Sequence, residues 1–352
     1  MRWLVPEWRL SSPKTPFEAE PQHARRKGAP AHSCPHPPLM RARAMLAILL
    51  KTLPFFAVIG LGFIAGRARF FSAEATAYLT KFVFYFALSA MLFGFAANLD
   101  LQAIFNWPFV LAYLSATTSV WALVACAAFA RGLGTEEAVF EAHTGVIGNV
   151  GFLGIPMLAL LLGPAAVGPV LMVLAVDLIV FSTLLTLVIT ARREGRMRLS
   201  VLRALALGLA RNPMIVSVVL GLAWGAAGGA LPVPVNEFLT LLGAAATPCA
   251  LFAIGASLAG SRALRLGAAL WLSTAKLILH PAAAAFFVWA FGVEPFAGTV
   301  MIAAAALPVA GNVFILAQHY GVAPNRVSAA ILISTAASVV TIAAVLAIGG
   351  TT

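Results

Sequence analysis

Two short stretches, each with glycines, a proline and one asparagine, interrupt long apolar runs of the sequence. They read GVIGNVGFLGIPM (145–157) and ALPVAGNVFILAQHYG (306–321). Glycine and proline destabilise helices, and broken helices occur at membrane depth only where the backbone is buried in protein or lines a polar cavity. The N–H groups freed at a half-helix start attract anions, and an asparagine adds a neutral donor and acceptor. The candidate substrate-binding residues are Gly148, Asn149, Gly151, Pro156, Pro308, Gly311 and Asn312.

Three ionisable residues lie deep in apolar runs, where burying a charge is expensive. Asp177 lies within VLAVDLIVF and could take a proton, neutralise a basic partner or make only a structural hydrogen bond. Lys276 and His280 are four residues apart, which places them on one helix face. Lys276 could balance an anionic substrate or pair with Asp177, and His280 could relay protons near neutral pH. We expect these three residues to serve coupling or charge balance, although a structural ion pair is an open alternative.

The composition requires most of the chain to lie in a lipid bilayer. Of the 352 residues, 61% are hydrophobic and 10% are charged, against about 45–50% and about 25% in soluble proteins. This apolar excess cannot fit inside one soluble core, which excludes soluble enzymes, disordered chains and nucleic-acid-binding proteins. The three cysteines are far apart and predict neither a disulfide framework nor a metal site. We expect a polytopic inner-membrane protein without metal or cofactor.

Ten segments are long and apolar enough to span a bilayer, which takes about 20 residues. They lie near 45–66, 74–96, 107–131, 137–162, 167–191, 210–229, 236–259, 266–292, 295–319 and 326–348. Residues 1–44 are basic and proline-rich, and are either a disordered extension or an over-extended start before Met45. The predicted organisation is the extension 1–44, a first five-helix repeat 45–191, a cytoplasmic loop 192–209 and a second five-helix repeat 210–352.

Basic residues are distributed unevenly between the loops. The odd-numbered loops carry arginines, whereas the even-numbered loops at 97–106, 163–166, 230–235 and 293–294 contain no Lys or Arg. Cytoplasmic loops are enriched in basic residues, so the odd loops are predicted to be cytoplasmic and both termini to be outside. The net charge of +11 therefore indicates orientation and not a nucleic-acid partner.

The two halves share a sequence offset. Pro54 and Pro213, Leu92–Phe93 and Leu251–Phe252, and Pro169 and Ser328 are each 159 residues apart. Because each half has an odd number of helices, a duplicated half must be inverted in the membrane. The sequence therefore predicts two inverted five-helix repeats, with corresponding breaks in the fourth and ninth helices.

Several collinear stretches resemble the auxin efflux carrier family, which includes plant auxin exporters and bacterial malonate-carrier-like proteins. They are LPFFAVIGLGFIAGR (53–67), YLTKFVFYFALSAMLF (78–93), NVGFLGIPML (149–158), KLILHP (276–281), ALPVAGNVFILAQHYGV (306–322) and SAAILISTAASVVT (328–341). The resemblance covers nearly all of 45–348.

The resemblance implies an all-α membrane fold of ten helices in two inverted repeats, with broken fourth and ninth helices that cross. It also implies elevator-like alternating access, in which a unit carrying the crossed helices moves against helices 1, 2, 6 and 7. Asn149 and Asn312 match the substrate-contacting positions, with Pro156 and Pro308 flanking the breaks. One departure is Ser89, where many family members have proline, although its counterpart Pro248 is present.

We expect a secondary transporter that moves a small organic anion, a carboxylate, with the lipid bilayer as its surroundings and a homodimer as an open option. The alternatives are a sodium-coupled symporter of the bile-acid type and a non-transporting membrane sensor. An intramembrane enzyme is disfavoured because neither G-x-S-x-G nor H-E-x-x-H occurs and Asp177 is the one acid deep in a segment.

Overall fold

The computed structural model describes residues 38–98, 106–194, 207, 210–260 and 266–348. Most of the predicted extension, residues 1–37, lies outside these ranges, and so does most of the predicted loop 192–209. Residues 38–44, which the sequence places in the extension, form the first turns of a helix.

Within the described ranges the chain is helical throughout, apart from loops and one isolated antiparallel bridge. The helices are α1 (Pro38–Arg67), α2 (Ala73–Ala97), α3 (Trp107–Ala130), α4 (Thr135–Val146), α5 (Val150–Leu162), α6 (Pro164–Arg193), α7 (Pro213–Ala226), α8 (Val233–Leu258), α9 (Leu266–Ala290), α10 (Pro295–Ala305), α11 (Gly311–Tyr320) and α12 (Pro324–Ile348).

Seven of the described helices, α1, α2, α3, α6, α8, α9 and α12, contain stretches long and apolar enough to cross a membrane. The shorter helices α5, α7 and α10 are also apolar. The chain is therefore a polytopic, all-α membrane protein, as its composition predicts. The count of ten membrane crossings stays a prediction.

Polar residues next to proline mark where several helices begin. The side-chain oxygens of Asn106, Asn212 and Glu294 accept hydrogen bonds from backbone N–H groups of the first turns of α3, α7 and α10. Each is followed within two residues by a proline, which suits a first turn because its missing N–H would have no helical partner there. These residues therefore define where α3, α7 and α10 begin.

The predicted breaks in the fourth and ninth segments are confirmed. The fourth segment consists of α4 and α5, separated by residues 147–149, and the ninth consists of α10 and α11, separated by residues 306–310. Every residue from 138 to 151 and from 303 to 310 is buried. Irregular backbone at membrane depth needs such protein surroundings, because lipid cannot satisfy its polar groups.

The second segment is also irregular, near Ser89. A wide π-helical turn, Val83–Ala87, precedes Ser89, whose hydroxyl donates a hydrogen bond to the carbonyl of Phe84 (3.1 Å). In α8, a turn at Ala245 precedes Pro248 in the same way. The helix is therefore distorted here without proline.

Two pairs of helices pack through reciprocal glycine contacts. A Cβ built on Gly62 of α1 would lie 2.1 Å from the carbonyl oxygen of Phe252 in α8. One built on Gly221 of α7 would lie 2.7 Å from the carbonyl oxygen of Phe93 in α2. Gly62 and Gly221, and likewise Phe93 and Phe252, are 159 residues apart. This reciprocity is what the predicted duplication requires, and the inverted arrangement of the halves stays a prediction.

We call the α1–α8, α2–α7 and α2–α8 contacts the glycine seam; its glycines are Gly62, Gly66, Gly221, Gly243 and Gly255. The remaining helices surround the two breaks. In this group α3 packs on α4 and α9, α9 on α12, and α4 on the last turns of α6. The chain thus contains helices joined by close backbone approach and helices that enclose the broken segments.

Candidate functional site

The two breaks contact each other directly. Gly148 and Val309 form an antiparallel bridge. Asn149 N donates a hydrogen bond to the carbonyl oxygen of Pro308 (2.8 Å), and Ala310 N donates one to that of Ile147 (3.1 Å). We call residues 147–149 and 308–310, joined in this way, the crossing. Each break thereby satisfies backbone groups that the other leaves without a helical partner.

A serine of α12 satisfies a further backbone group at the crossing. Val309 N donates a hydrogen bond to Ser334 Oγ (3.1 Å), and that hydroxyl donates to the carbonyl of Ile331 (3.1 Å). The sequence does not predict this contact, because the spacing of a hydroxyl along its own helix does not show which distant N–H group it will contact.

The two asparagines are not equivalent in the register of the crossing. In the bridge, Asn149 N donates to Pro308 O, and Ala310 N donates to Ile147 O in the same way. Asn149 therefore has the same position in the first break as Ala310 has in the second. The matching Gly-Asn-Val letters would instead align Asn149 with Asn312. Asn149 is the residue before the first turn of α5, whereas Asn312 is the second residue of α11. The motif predicts both positions near the breaks but not their relative register.

Both asparagine side chains are left available by the protein. Asn149 is buried, and its side chain makes no capping hydrogen bond to α5. The Oδ1 atom of Asn312 is buried and has no hydrogen-bond partner among the described residues. Gly311 adjoins open space, since a Cβ built there would meet no atom within 4 Å. The start of α11 therefore combines open space at Gly311 with the unpaired amide oxygen of Asn312.

Glycines of the fourth segment allow three side chains to approach its backbone. A Cβ on Gly148 would lie 3.2 Å from Lys276 Nζ. One on Gly151 would lie 2.8 Å from the terminal carbon of Met214, which comes from α7. One on Gly154 would lie 2.5 Å from Leu307. Gly148 therefore admits a cation to the crossing, while Gly151 and Gly154 admit apolar atoms that seal it.

Lys276 is fully buried and binds the end of α10. Its ammonium donates a hydrogen bond to the carbonyl oxygen of Ala305. Ala305 is the last residue of α10, so no later N–H of that helix is available to donate to its carbonyl. A cation at a helix C-terminus is favourable because the carbonyls there carry partial negative charge. Lys276 therefore places a positive charge beside the crossing.

His280 extends this contact towards α3. Its Nδ1 lies 3.1 Å from Lys276 Nζ, and its Nε2 lies 3.0 Å from the Thr117 hydroxyl. Because a protonated lysine only donates, Nδ1 accepts and Nε2 carries the hydrogen. The predicted common face of Lys276 and His280 is thus observed, and both residues are fully buried.

Asp177 is buried on α6 and faces α3. The Tyr113 hydroxyl donates a hydrogen bond to Asp177 Oδ1 (2.8 Å), whereas Oδ2 is buried without a partner among the described residues. Asp177 interacts electrostatically with Lys276, but the two form no salt bridge within 4 Å in the described ranges. Asp177 and Lys276 each lie in a π-helical turn, Asp177–Phe181 and Ala275–Leu279, a feature common at functional sites.

The structure gathers most of the predicted site residues. Gly148, Asn149 and Pro308 meet in the crossing, and Gly311 and Asn312 follow it at once in the chain. Lys276 adjoins Gly148, and His280 adjoins Lys276.

The other predicted substrate-binding residues lie along α5. Gly151 lies in the first turn of α5. Pro156 lies six residues into α5, about 9 Å along the helix axis from its first residue. Tyr113 and Thr117, which sequence reasoning did not select, join the residues around the crossing through Asp177 and His280.

A cluster of ion pairs lies at the start of α4. The buried Glu141 accepts hydrogen bonds from Arg131 and from Arg326, whose Nη1 is 2.6 Å away. Glu136 accepts two from Arg193 (2.8 and 3.0 Å). The sequence does not predict these pairs, because their partners are distant in the chain. Arg131, Arg193 and Arg326 come from three of the arginine-bearing odd loops, so those loops lie on one face of the protein.

Comparisons with known proteins agree with this architecture. The family described as "Membrane transport protein" matches residues 47–346. A protein of Rhizobium meliloti (strain 1021) named "Putative malonate transporter" is 33% identical over 309 residues, which cover 86% of this chain and 96% of that protein.

Proposed function

Because the chain belongs to the membrane transport protein family, it is a multi-pass membrane transport protein and not an enzyme, and we propose that it is a secondary transporter that carries a small carboxylate across the inner membrane. The observation that carries this proposal is the crossing. Two helices begin on either side of a buried backbone bridge, next to the buried Asn149, to Asn312 with its unpaired Oδ1, and to a buried lysine.

The chemistry of the crossing suits a carboxylate. The first N–H groups of α5 and α11 have no intrahelical acceptors and carry partial positive charge. The side-chain amides of Asn149 and Asn312 can each donate to a carboxylate oxygen without adding a buried charge. Lys276, held beside Gly148, supplies the full positive charge that balances the anion. Hydrogen bonds to a charged acceptor are stronger than neutral ones, so donors converging here favour anions over neutral solutes.

Malonate is the first substrate to test. A relative that aligns with nearly its whole length to this chain is named for malonate transport. Malonate presents two carboxylates joined by a single methylene group, and the two could be held by different halves of the crossing. The proposed substrate class is therefore small carboxylates, with malonate as its reference member.

We further infer an elevator movement in which α3 to α6 and α9 to α12 move as one body against α1, α2, α7 and α8. Ion pairs and buried hydrogen bonds connect α3, α4, α6, α9 and α12 to one another, which supports their moving together. The clustered arginines would face the cytoplasm, with both termini outside. A homodimer stays a prediction.

The test is exchange of labelled malonate in vesicles reconstituted with purified protein and preloaded with unlabelled malonate. Asn149→Ala and Asn312→Ala should each slow the exchange at least about tenfold, since loss of a hydrogen bond to a charged group costs about 1.5–3 kcal/mol. Asn236→Ala is the matched control, because Asn236 is exposed on α8 and far from the crossing in the chain.

The wild type must exchange malonate or another small mono- or dicarboxylate for the proposed function to stand. If both crossing variants exchanged substrate at the wild-type rate while correctly folded, the site assignment would be wrong. Thermal unfolding in detergent separates a folding defect from a transport defect.

A further inference from the structure

One buried atom has no partner in the site described above. Asp177 Oδ2 is fully enclosed and accepts no hydrogen bond from any described residue, although Oδ1 of the same group is bound by Tyr113. An ionised carboxylate buried in this way lacks half of its usual hydrogen bonds. A carboxylic acid carries no charge, so a missing hydrogen bond at Oδ2 costs it less than it costs the carboxylate. The surroundings of Asp177 therefore accommodate either form without a rearrangement of Tyr113.

A chain of polar side chains connects Asp177 to the cation at the crossing. Tyr113 donates to Asp177, and Thr117 lies close to the Tyr113 hydroxyl one turn further along α3. Thr117 contacts His280, which contacts Lys276. Tyrosine, threonine and neutral histidine each both donate and accept hydrogen bonds. Charge at the crossing is thus linked to Asp177 by groups that can pass a proton.

Asp177 has few titratable neighbours. Tyr113 of α3 and Lys276 of α9 interact with it, and His280 lies beyond Lys276 in the same chain of contacts. The helices α5 and α10 also pack on this half of α6, and neither carries a titratable side chain. On α4, His143 is buried and makes no hydrogen bond with the described residues. Lys276 is therefore the buried cation that Asp177 can neutralise.

The charges of this region can stay balanced in two ways. With no anion bound, an ionised Asp177 offsets the positive charge of Lys276. With a carboxylate bound beside Lys276, an ionised Asp177 would leave one excess negative charge in a buried, low-dielectric region, which is strongly unfavourable. Protonation of Asp177 removes that excess. For a substrate that enters as a monoanion, such as singly protonated malonate, both states of the moving unit then bury the same net charge.

We propose that Asp177 binds one proton when a carboxylate binds at the crossing and releases it when the carboxylate leaves, so that proton and carboxylate cross the membrane together. This inference rests on the proposed function and adds its driving ion. On loading, an O–H bond forms at Asp177 with a proton from the aqueous side on which the substrate enters. On unloading, that bond breaks and the proton leaves to the opposite side, with no other group changed over the cycle.

The experiment uses vesicles reconstituted with the full chain and labelled malonate as the probe. Exchange against internal unlabelled malonate, without a pH gradient, tests transport alone. Net uptake into empty vesicles with an acidic exterior tests coupling. One coupled proton supports about tenfold accumulation per pH unit of gradient, since one unit corresponds to about 1.36 kcal/mol. A pH-sensitive dye trapped inside the vesicles should report acidification when malonate is added to the wild type.

Asp177→Asn mimics the protonated acid and cannot release a proton. It should keep exchange within about threefold of the wild type and lose the accumulation driven by the pH gradient. Asp177→Glu, which retains a titratable group, is the matched control and should keep some gradient-driven uptake. Uptake of malonate that had merely become protonated in the acidic medium would persist in Asp177→Asn, so this variant separates the two explanations.

Three results would overturn the inference. They are wild-type exchange without malonate-dependent acidification of the vesicles, gradient-driven accumulation that survives in Asp177→Asn, and loss of exchange in a folded Asp177→Asn protein. The dye measurement needs only the wild type, so exchange without acidification would overturn the inference even if the variant fails to fold. Absence of any carboxylate exchange by the wild type would instead overturn the proposed function.

Discussion

The glycine seam and the helices around the crossing are held together by different forces. In the seam, Gly62 and Gly255 bring the backbones of α1 and α8 so close that a Cβ would lie about 2 Å from a carbonyl oxygen across the contact. Among the described residues, side-chain hydrogen bonds of α2, α7 and α8, such as Ser89 to Phe84, stay within their own helix. Around the crossing, ion pairs and buried hydrogen bonds instead join different helices.

This difference matches two mechanical roles. Close packing of glycines gives van der Waals contact over a long surface, which fixes a helix pair by shape. Ion pairs and hydrogen bonds are directional, so they fix each helix relative to specific atoms on its neighbours. The seam is suited to a static support. The ion pairs and hydrogen bonds around the crossing are suited to keeping those helices together if they move as one body. Changes to either region test this comparison.

The largest loss of stability is expected at Glu141, which is 2% exposed and holds Arg326, itself 6% exposed. Glu141→Gln leaves a buried arginine short of its counter-charge, and breaking such a pair costs about 3–5 kcal/mol. The measurement is thermal unfolding of the purified protein in detergent. Glu137→Gln is the matched control, because Glu137 is 40% exposed and contacts the same arginine at 3.3 Å. It should cost less than about 1 kcal/mol. Equal effects of the two substitutions would contradict the importance given to the buried pair.

A smaller but clear loss is expected in the seam. Gly62→Ala places a methyl group against the backbone of Phe252, and overpacking of this kind costs about 1–3 kcal/mol. Gly60→Ala, two residues away in the same helix, meets no atom within 4 Å. It should stabilise the helix by up to about 1 kcal/mol, since alanine is the better helix former. Shifts of the unfolding temperature in opposite directions would support the seam, and shifts in the same direction would argue against it.

The smallest effect is expected at the exposed pair of Glu136 and Arg193, at the edge of the ion-paired helices around the crossing. Hydrogen bonding to Arg193 lowers the pKa of Glu136 below its ordinary value of 4.5. A lowered pKa in the folded state stabilises the protein above the unfolded-state pKa, and this gain is lost as the pH falls through the folded-state value. Glu136→Gln should therefore be slightly less stable than the wild type at pH 7 and equal to it well below pH 4.5. A difference that grew towards acidic pH would show that Glu136 acts in another way.

The sequence by itself determined the environment of the chain and the places where its helices fail. An apolar excess has to be buried in lipid. Glycine, proline and asparagine disfavour helix, and where they cluster, near 148 and 309, the sequence predicts the breaks from local chemistry. Helical spacing also predicted that Lys276 and His280 share a face. These properties depend on residues close together in the chain.

Only the tertiary structure decided which distant groups meet. It set the two breaks in a register in which Asn149 bonds to Pro308 and is the counterpart of Ala310 rather than of Asn312. It also gave Lys276 the carbonyl of Ala305 instead of a direct bond to Asp177. It also brought Arg131 and Arg326 to Glu141. Spacing along one helix fixes the face on which a residue lies, but the axial shift between two helices depends on the summed packing of all their neighbours. That sum is a property of the folded chain, and no single motif contains it.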